Sequence, residues 1–408
     1  MRFYLKLARR NIFRNRRRTF LTGLIIGVGL AAMMFTDAWI IGMKENLISS
    51  ATSSFLGHAQ VHREGFTDLL DGELTIRGHE ELLRRLEEDP RVAETTRRAV
   101  GYGTISSPAD VASVVVYGID PAREPALSQI DESLIEGAYL EEANRNGVLI
   151  GSDLAEELEA SIGSRIVVTL SEAGGGNISQ QLFRVTGIFQ THIERFDEGV
   201  AVVPLGVAQG MMGLGSEIHE IALRFEDPRY AQESGEAFAA DYSGSGNVAE
   251  PWPELLPQIS YILDMTDVST GITVVIVFSI IVFGIVNTLY MSLYERTFEF
   301  GVLRAAGTRA GVLRKLIVFE AGSLAVYSMV VGIILGSIVI ALGAVYGMDL
   351  TGVELAGTSF TGRIYTSFSF RQFTLHPLLV FGFTVLVSLY PANHAAKMSI
   401  ARALERAL

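Results

Sequence analysis

The sequence predicts a membrane protein with four transmembrane α-helices and a large α+β extracytoplasmic domain between the first and second. Three observations carry this prediction. Mean hydropathy is +0.33 and only 19% of the 408 residues are charged, against roughly 25% in soluble chains. Four apolar runs approach the about 20 residues that a helix needs to cross a bilayer. Charge is also segregated. Residues 43–265 hold 15 Lys+Arg against 37 Asp+Glu, and the remainder holds 18 against 8. The formal net charge of -12 therefore averages an acidic block and a basic frame.

Residues 1–19 are predicted to form a basic amphipathic helix in the cytoplasmic interface. Arg2, Lys6, Arg9, Arg10, Arg14, Arg16, Arg17 and Arg18 alternate with Phe3, Leu5, Leu7, Ile12 and Phe13, and no acid intervenes. Arginine stems in such a segment reach lipid headgroups while the apolar face stays buried. The segment abuts a membrane span, which argues against a nucleic-acid partner.

The first transmembrane helix occupies residues 20–42, with the apolar run Phe20–Ile41. That run exceeds the 7–15 residues of a signal-peptide core. Residues 43–270 form the extracytoplasmic domain. Its predicted strands are Ala59–Arg63, Val111–Ile119, Val148–Ile150, Arg165–Leu170, Gln181–Phe189, Val200–Val203 and Ile221–Phe225, from their β-branched content and alternation. Its predicted helices are Glu80–Glu88, Asp153–Leu158 and Tyr230–Tyr242. Met43–Ser54 and Pro253–Thr270 read as helical stalks at its two ends.

The second span is residues 271–293, followed by a cytoplasmic segment, 294–322. The third span is 323–346, followed by a short outer loop, 347–372. The fourth span, 373–391, has its run Phe373–Tyr390 closed by Pro391, and residues 392–408 form the tail. Arg296, Arg304, Arg309, Arg314 and Lys315 between the second and third spans, with the basic N-terminus, place both termini in the cytoplasm by the positive-inside rule.

Most catalytic chemistry is missing. Without cysteine there is no disulfide, thiolate metal site or Cys nucleophile. None of the four lysines follows a glycine, so the P-loop pattern is absent and no nucleotide cofactor is expected on this chain. His58 and His62 sit in a strand-like HAQVH without the acidic partner of a zinc motif, and read as ordinary histidines. Asn177-Ile178-Ser179 reads as a loop triplet. Asp37 and Glu320 lie at the ends of apolar runs, where charge costs least. Glu320 is within reach of an arginine of the cytoplasmic segment. Gly23-x-x-x-Gly27 and Gly332-x-x-x-Gly336 permit close helix approach, within this chain or to a second copy.

The segment Met291–Ser323 mixes charge with apolar residues. Phe298, Val302 and Leu303 share one side of a short helix, Gly307-Thr308 breaks it, and Ala310–Glu320 begins another. A rigid helical knob of this kind suits docking to a cytoplasmic protein.

The run Ser292-Leu-Tyr294-Glu295-Arg296-Thr297-Phe298-Glu299-Phe300-Gly301-Val-Leu303-Arg304-Ala305-Ala-Gly307 resembles the permease subunits of MacB/FtsX/Lol-type ABC transporters. Leu7-Ala-Arg-Arg-Asn11-Ile-Phe-Arg-Asn-Arg-Arg-Arg18-Thr and Tyr390-Pro391-Ala392-Asn-His-Ala395-Ala396-Lys397 resemble the family's two ends. Softer motifs point toward the lipoprotein-releasing Lol permeases: Gly57–His62, Val116–Pro121, Gly147–Ala155 and Val185–Phe189. The resemblance implies that Tyr294, Glu295, Arg296, Thr297, Glu299, Gly301, Leu303, Arg304 and Gly307 form a coupling helix against a separate cytoplasmic ABC ATPase dimer. ATP and Mg would bind on that partner.

The resemblance also implies a porter-like lobe, residues 48–120 and 205–265, and a sabre-like lobe, 121–204. A second permease, identical or not, and membrane lipids would complete the assembly in a bacterial inner membrane. The cargo would be a lipoprotein or another amphiphile, touching Phe35, Trp39, Ile40, Val282, Phe283 and Val286. The loop Ser171–Ser179 lacks the proline with which one Lol permease type recruits its periplasmic chaperone. Export of a peptide or other amphiphile, or FtsX-like activation of a cell-wall hydrolase without transport, are the alternatives.

Overall fold

A computed structural model describes residues 16–397, apart from 70, 175–176, 192, 351–353, 356–357 and 360–362. The predicted interfacial helix at residues 1–15 and the end of the tail lie outside the described residues. The chain divides into two units. One holds residues 1–45, 264–349 and 363–408, and the other holds 46–263 and 350–362.

Four long apolar helices account for the predicted spans: Arg16–Ala51, Pro257–Glu295, Ala310–Tyr346 and Phe370–Lys397. Each has the length and composition to cross a membrane. Their shared core contains Ile26, Leu30, Met34, Ile281, Ile285 and Val380. The two glycine motifs face each other inside this chain. A Cβ on Gly332 would stand 3.0 Å from the Gly27 carbonyl oxygen and 2.8 Å from Leu30 Cδ2. A Cβ on Gly23 would clash with Tyr327, and one on Gly336 would lie 3.0 Å from Met34 Sδ. Small residues here let the first and third helices approach closely.

The fourth helix corrects one expectation. Pro391 does not close it. The helix continues to Lys397 with Pro377 and Pro391 both inside. Pro391, Ala392, Ala395 and Ala396 are buried on it, so packing outweighs the hydrogen bond a proline removes.

Ten strands form the sheet of the other unit. In chain order they are β1 (Ala59–Arg63), β2 (Val92–Ser106), β3 (Val111–Ile119), β4 (Leu134–Gly137), β5 (Gly147–Gly151), β6 (Arg165–Ser171), β7 (Ile178–Phe189), β8 (Val200–Pro204), β9 (Glu220–Phe225) and β10 (Asn247–Pro251). The order across the sheet is β10-β1-β9-β2-β3-β8-β5-β7-β4, with β6 pairing β2 and β7. The β3–β8 and β5–β7 pairs are parallel and the others antiparallel. Helices Ser152–Glu157 and Leu205–Met212 bury Leu154, Ala155, Ala208 and Met211 in the same core as Val114, Val116, Ile150, Val168 and Phe183. The β6–β7 hairpin, with Ser171 opposite Ile178, brackets the Gly-rich loop.

All seven predicted strands are present, and three further strands are added. β2 carries Arg97, Arg98, Gly101 and Gly103, which hide its alternation. Gly103 is required by close approach, since a Cβ there would stand 2.2 Å from the Thr169 carbonyl oxygen across the β2–β6 pair. The predicted helix Tyr230–Tyr242 is two helices, Tyr230–Glu233 and Gly235–Tyr242, broken at Ser234. Gly235 packs so closely on Pro251 that a Cβ would meet it at 2.8 Å.

The first helix ends in a π-helical turn, Thr52–Leu56, before Gly57 at φ 81°. Arg98 on β2 holds that turn. Its Nη2 donates to the Phe55 carbonyl at 2.6 Å, and its guanidinium carbon lies 3.8 Å from the Phe55 ring centroid. The same side chain donates to Glu124 at 2.5 Å and Glu220 at 2.6 Å, all in the interior. Glu124 also accepts from Thr96 and Ser128 hydroxyls at 3.1 and 2.9 Å. Burial raises the Glu220 carboxyl pKa above its ordinary value, against the pull of Arg98.

Candidate functional site

The predicted coupling helix is Thr297–Ala305. Glu295 belongs to the end of the preceding long helix, because Arg296 at φ -108°, ψ 12° interrupts the two. At the other end, Gly307 N–H donates to the Arg304 carbonyl and Thr308 N–H to the Leu303 carbonyl, both at 3.0 Å. Those bonds, with Gly307 at φ 92°, form a Schellman stop. A side chain at Gly307 would strain the left-handed conformation.

One side of the helix is anchored. Thr297, Phe300 and Gly301 are buried. Phe300 joins a cluster of Leu293, Leu313, Ile317, Ala392 and Ala395, contributed by the ends of three membrane helices. Arg296 Nε donates to Glu299 Oε2 at 3.0 Å, and Nη1 donates to Glu320 Oε2 and Oε1 at 2.7 and 2.9 Å. Its guanidinium also lies 5.1 Å from the Phe300 ring centroid. Burial pulls the Arg296 pKa down, but Glu320 and Glu299 outweigh that effect and hold it above its ordinary value. Arg304 Nη1 donates to the Ala396 carbonyl at 2.5 Å. That carbonyl lies in the last turn of the fourth helix, where acceptors lack helical partners.

The other side is presented outward. Phe298, Val302 and Leu303 are 50%, 45% and 40% exposed, and Tyr294 is 52% exposed. Spacing i, i+4, i+5 gathers the three on one face. These exposed apolar side chains, on a helix pinned from behind, make an apolar platform. Behind the helix lies a cavity of about 50 Å³ lined by Thr22, Thr288, Ser292, Arg296 and Glu320 among others. Leu289, Leu293, Phe300, Ile317 and Leu324 also line it, its polarity is mixed, and it is too small for an acyl chain.

Of the six predicted cargo-contact residues, Phe35, Trp39 and Ile40 lie on the first long helix and Val282, Phe283 and Val286 on the second. Phe35 and Trp39 stack with centroids 6.4 Å apart. Phe35, Trp39, Ile40, Val282 and Val286 are half-buried, while Phe283 is 75% exposed. Asp37 contacts His376 of the fourth helix at 3.5 Å.

Among the described residues no group of His, Cys, Asp and Glu could hold a metal. His58 Nδ1 accepts the Phe225 N–H at 3.0 Å, and His62 lies 3.0 Å from Glu250. Both histidines are part of the sheet's structure. The Arg98 cluster and the Ala396 anchor of Arg304 carried no signal in the sequence, because each depends on a distant partner.

The architecture is that of a multi-pass membrane protein: four long apolar helices, a mixed α+β domain inserted between the first two, and a pinned helical platform between the second and third. Residues 19–240 match the MacB-like periplasmic core domain, and residues 271–400 match the FtsX-like permease C-terminal. The chain belongs to this MacB/FtsX-type permease family. It is similar to the lipoprotein-releasing system transmembrane protein LolE of Haemophilus influenzae, with 23% identity over 81% of this chain and 82% of that protein. It is also similar to LolC of Xylella fastidiosa, with 23% identity over 98% of this chain and 96% of that protein. The solved periplasmic region of MacB from Actinobacillus actinomycetemcomitans covers 50% of this chain and 92% of its own, at 14% identity and TM-score 0.34. Membership of the family implies an ATPase partner.

Proposed function

We propose that this chain is the permease of a mechanotransmission-type ABC transporter that releases lipoproteins from the outer leaflet of a bacterial inner membrane. The observation that carries the proposal is the Phe298–Val302–Leu303 face, exposed on a helix fixed by Arg296–Glu320 and Arg304–Ala396. ATP and Mg bind on the cytoplasmic ATPase dimer, which docks on that face and on Tyr294, Glu295 and Glu299. Closure of the ATPase pushes the helix, and the push passes to the membrane helices through the anchors. Both termini are cytoplasmic, and the acidic 43–270 domain lies in the periplasm. Within it, residues 48–120 and 205–265 form the porter-like lobe and 121–204 the sabre-like lobe. Similarity to two lipoprotein-releasing permeases over most of the chain supports the cargo. The apolar residues Phe35, Trp39, Ile40, Val282, Phe283 and Val286 contact its acyl chains, in a space completed by a second permease.

The test is purification of the full chain from its native membrane in mild detergent, followed by identification of the chains that accompany it. The proposal expects an ATPase and an intact lipoprotein, with photo-crosslinks from Phe35 or Phe283 capturing the lipoprotein. An ATPase with a peptide cargo, or with a cell-wall hydrolase and no cargo, would replace the lipoprotein reading. Absence of any ATPase would remove the transporter reading itself.

A further inference from the structure

We propose that a cleft between the third and fourth membrane helices binds an anionic phospholipid, with its phosphate against Arg314 and Lys315. The cleft has a volume of about 300 Å³ and is lined by Gly311, Arg314, Lys315, Val318, Phe319 and Leu389. Gly311, Arg314 and Lys315 fall in the first two turns of the helix Ala310–Tyr346. Val318, Phe319 and Leu389 form the apolar wall. The lining surface is almost wholly apolar, and two cationic side chains belong to it, so hydrocarbon and positive charge are offered together, as a phospholipid requires.

Three features favour a lipid occupant. Arg314 and Lys315 are exposed and make no ion pair among the described residues, whereas Arg296 and Arg304 at the same end of the bundle are committed to Glu320 and Ala396. Gly311 has nothing within 4 Å of where a Cβ would stand, which leaves room for a headgroup. The cations also lie in the segment that leads into the third predicted span, 323–346, on the side that the positive-inside rule assigns to the cytoplasm. Basic pockets between membrane helices hold anionic headgroups by charge. A zwitterionic headgroup brings its own cation and gains less.

The test uses the full-length chain in mild detergent, with phosphatidylglycerol or phosphatidylcholine added and the retained lipid counted by native mass spectrometry. Phosphatidylglycerol is expected to be retained over phosphatidylcholine. R314Q/K315Q should weaken its binding about thirtyfold. L389W keeps both cations, fills the cleft, and should also lose the lipid. Glycerol phosphate without acyl chains should not displace it. Equal retention of the two lipids, unchanged binding in R314Q/K315Q, or displacement by glycerol phosphate alone would each overturn the proposal. Loss of ATPase capture in R314Q/K315Q with lipid retention unchanged would assign the cations to the ATPase and overturn it as well.

Discussion

Glu320 on the third membrane helix receives both of its hydrogen bonds from a single nitrogen of Arg296, at 2.7 and 2.9 Å. Arg296 caps the short helix that carries the exposed platform, so this pair ties the platform to a membrane helix 24 residues further along the chain. Side-chain exposures of 12% and 17% make it a mostly desolvated pair. Removing one partner of such a pair strands the other.

Glu320→Ala should therefore destabilise the purified protein by about 2–3 kcal/mol, somewhat below the roughly 3–5 kcal/mol of a fully buried pair. Glu299 still faces Arg296, which limits the loss. A double-mutant cycle of Arg296→Met and Glu320→Ala, followed by thermal unfolding in detergent, checks this. Additive effects would show that the two side chains do not act together.

The facing glycines make a graded prediction. Gly332→Leu drives a side chain into Leu30 and the Gly27 carbonyl, where backbone cannot yield. A loss of about 1–3 kcal/mol is expected from overpacking. Gly336→Ala presses on the flexible Met34 side chain, with the Ala31 Cα at an ordinary 3.5 Å, and Gly271→Ala meets nothing within 4 Å. Unfolding midpoints should fall in that order, with Gly271→Ala near the parent protein.

Arg98→Met leaves Glu124 and Glu220 in the interior without their cation and releases the Phe55 carbonyl. The expected cost is about 3–5 kcal/mol. Adding Glu124→Gln and Glu220→Gln should recover part of it, because the stranded charges are then gone. Thermal unfolding of the three chains side by side checks both statements.

Stability should also depend on pH. Burial, with help from Arg224, lowers the His58 pKa to about 4, and burial lowers that of His219. Each ring accepts a backbone N–H at Nδ1, from Phe225 and Val100 respectively, so each must stay unprotonated there. A folded pKa below the unfolded value of about 6.5 means that the stabilisation is full above pH 6.5 and is lost as the pH falls toward 4. His58 alone should cost about 2 kcal/mol between pH 7.5 and pH 5. His58→Asn, whose carbonyl oxygen can accept from Phe225, should flatten that part of the dependence in melts at the two pH values.

Much of this architecture is written locally. The four spans are continuous apolar runs and Gly307 stops the short helix, so these were legible, whereas the break at Arg296 that leaves Glu295 in the preceding helix was not. The Arg296–Glu320 pair was within reach of the sequence because a lone acid at a membrane helix end calls for a nearby cation. What escaped depends on distant partners. β2 was hidden because Arg98 points inward, which makes sense only beside Glu124 and Glu220. Pro391 reads locally as a stop, because the burial that keeps it inside the helix depends on distant residues. Sequence allowed the glycine motifs two partners, and the facing of Gly27 and Gly332 supplies the partner inside the chain.

The central claim is that Phe298, Val302 and Leu303 are the ATPase docking face. The most direct measurement is capture of the ATPase by full-length F298D/L303D in native membranes, beside the parent and E299A/R304A. Because Phe298 and Leu303 are exposed, the aspartates should leave the unfolding midpoint within a few degrees of the parent. Loss of at least ten-fold in ATPase captured, with the fold intact, is the predicted result, in line with the cost of charging the centre of an apolar contact. Undiminished capture by a folded F298D/L303D chain would contradict the account.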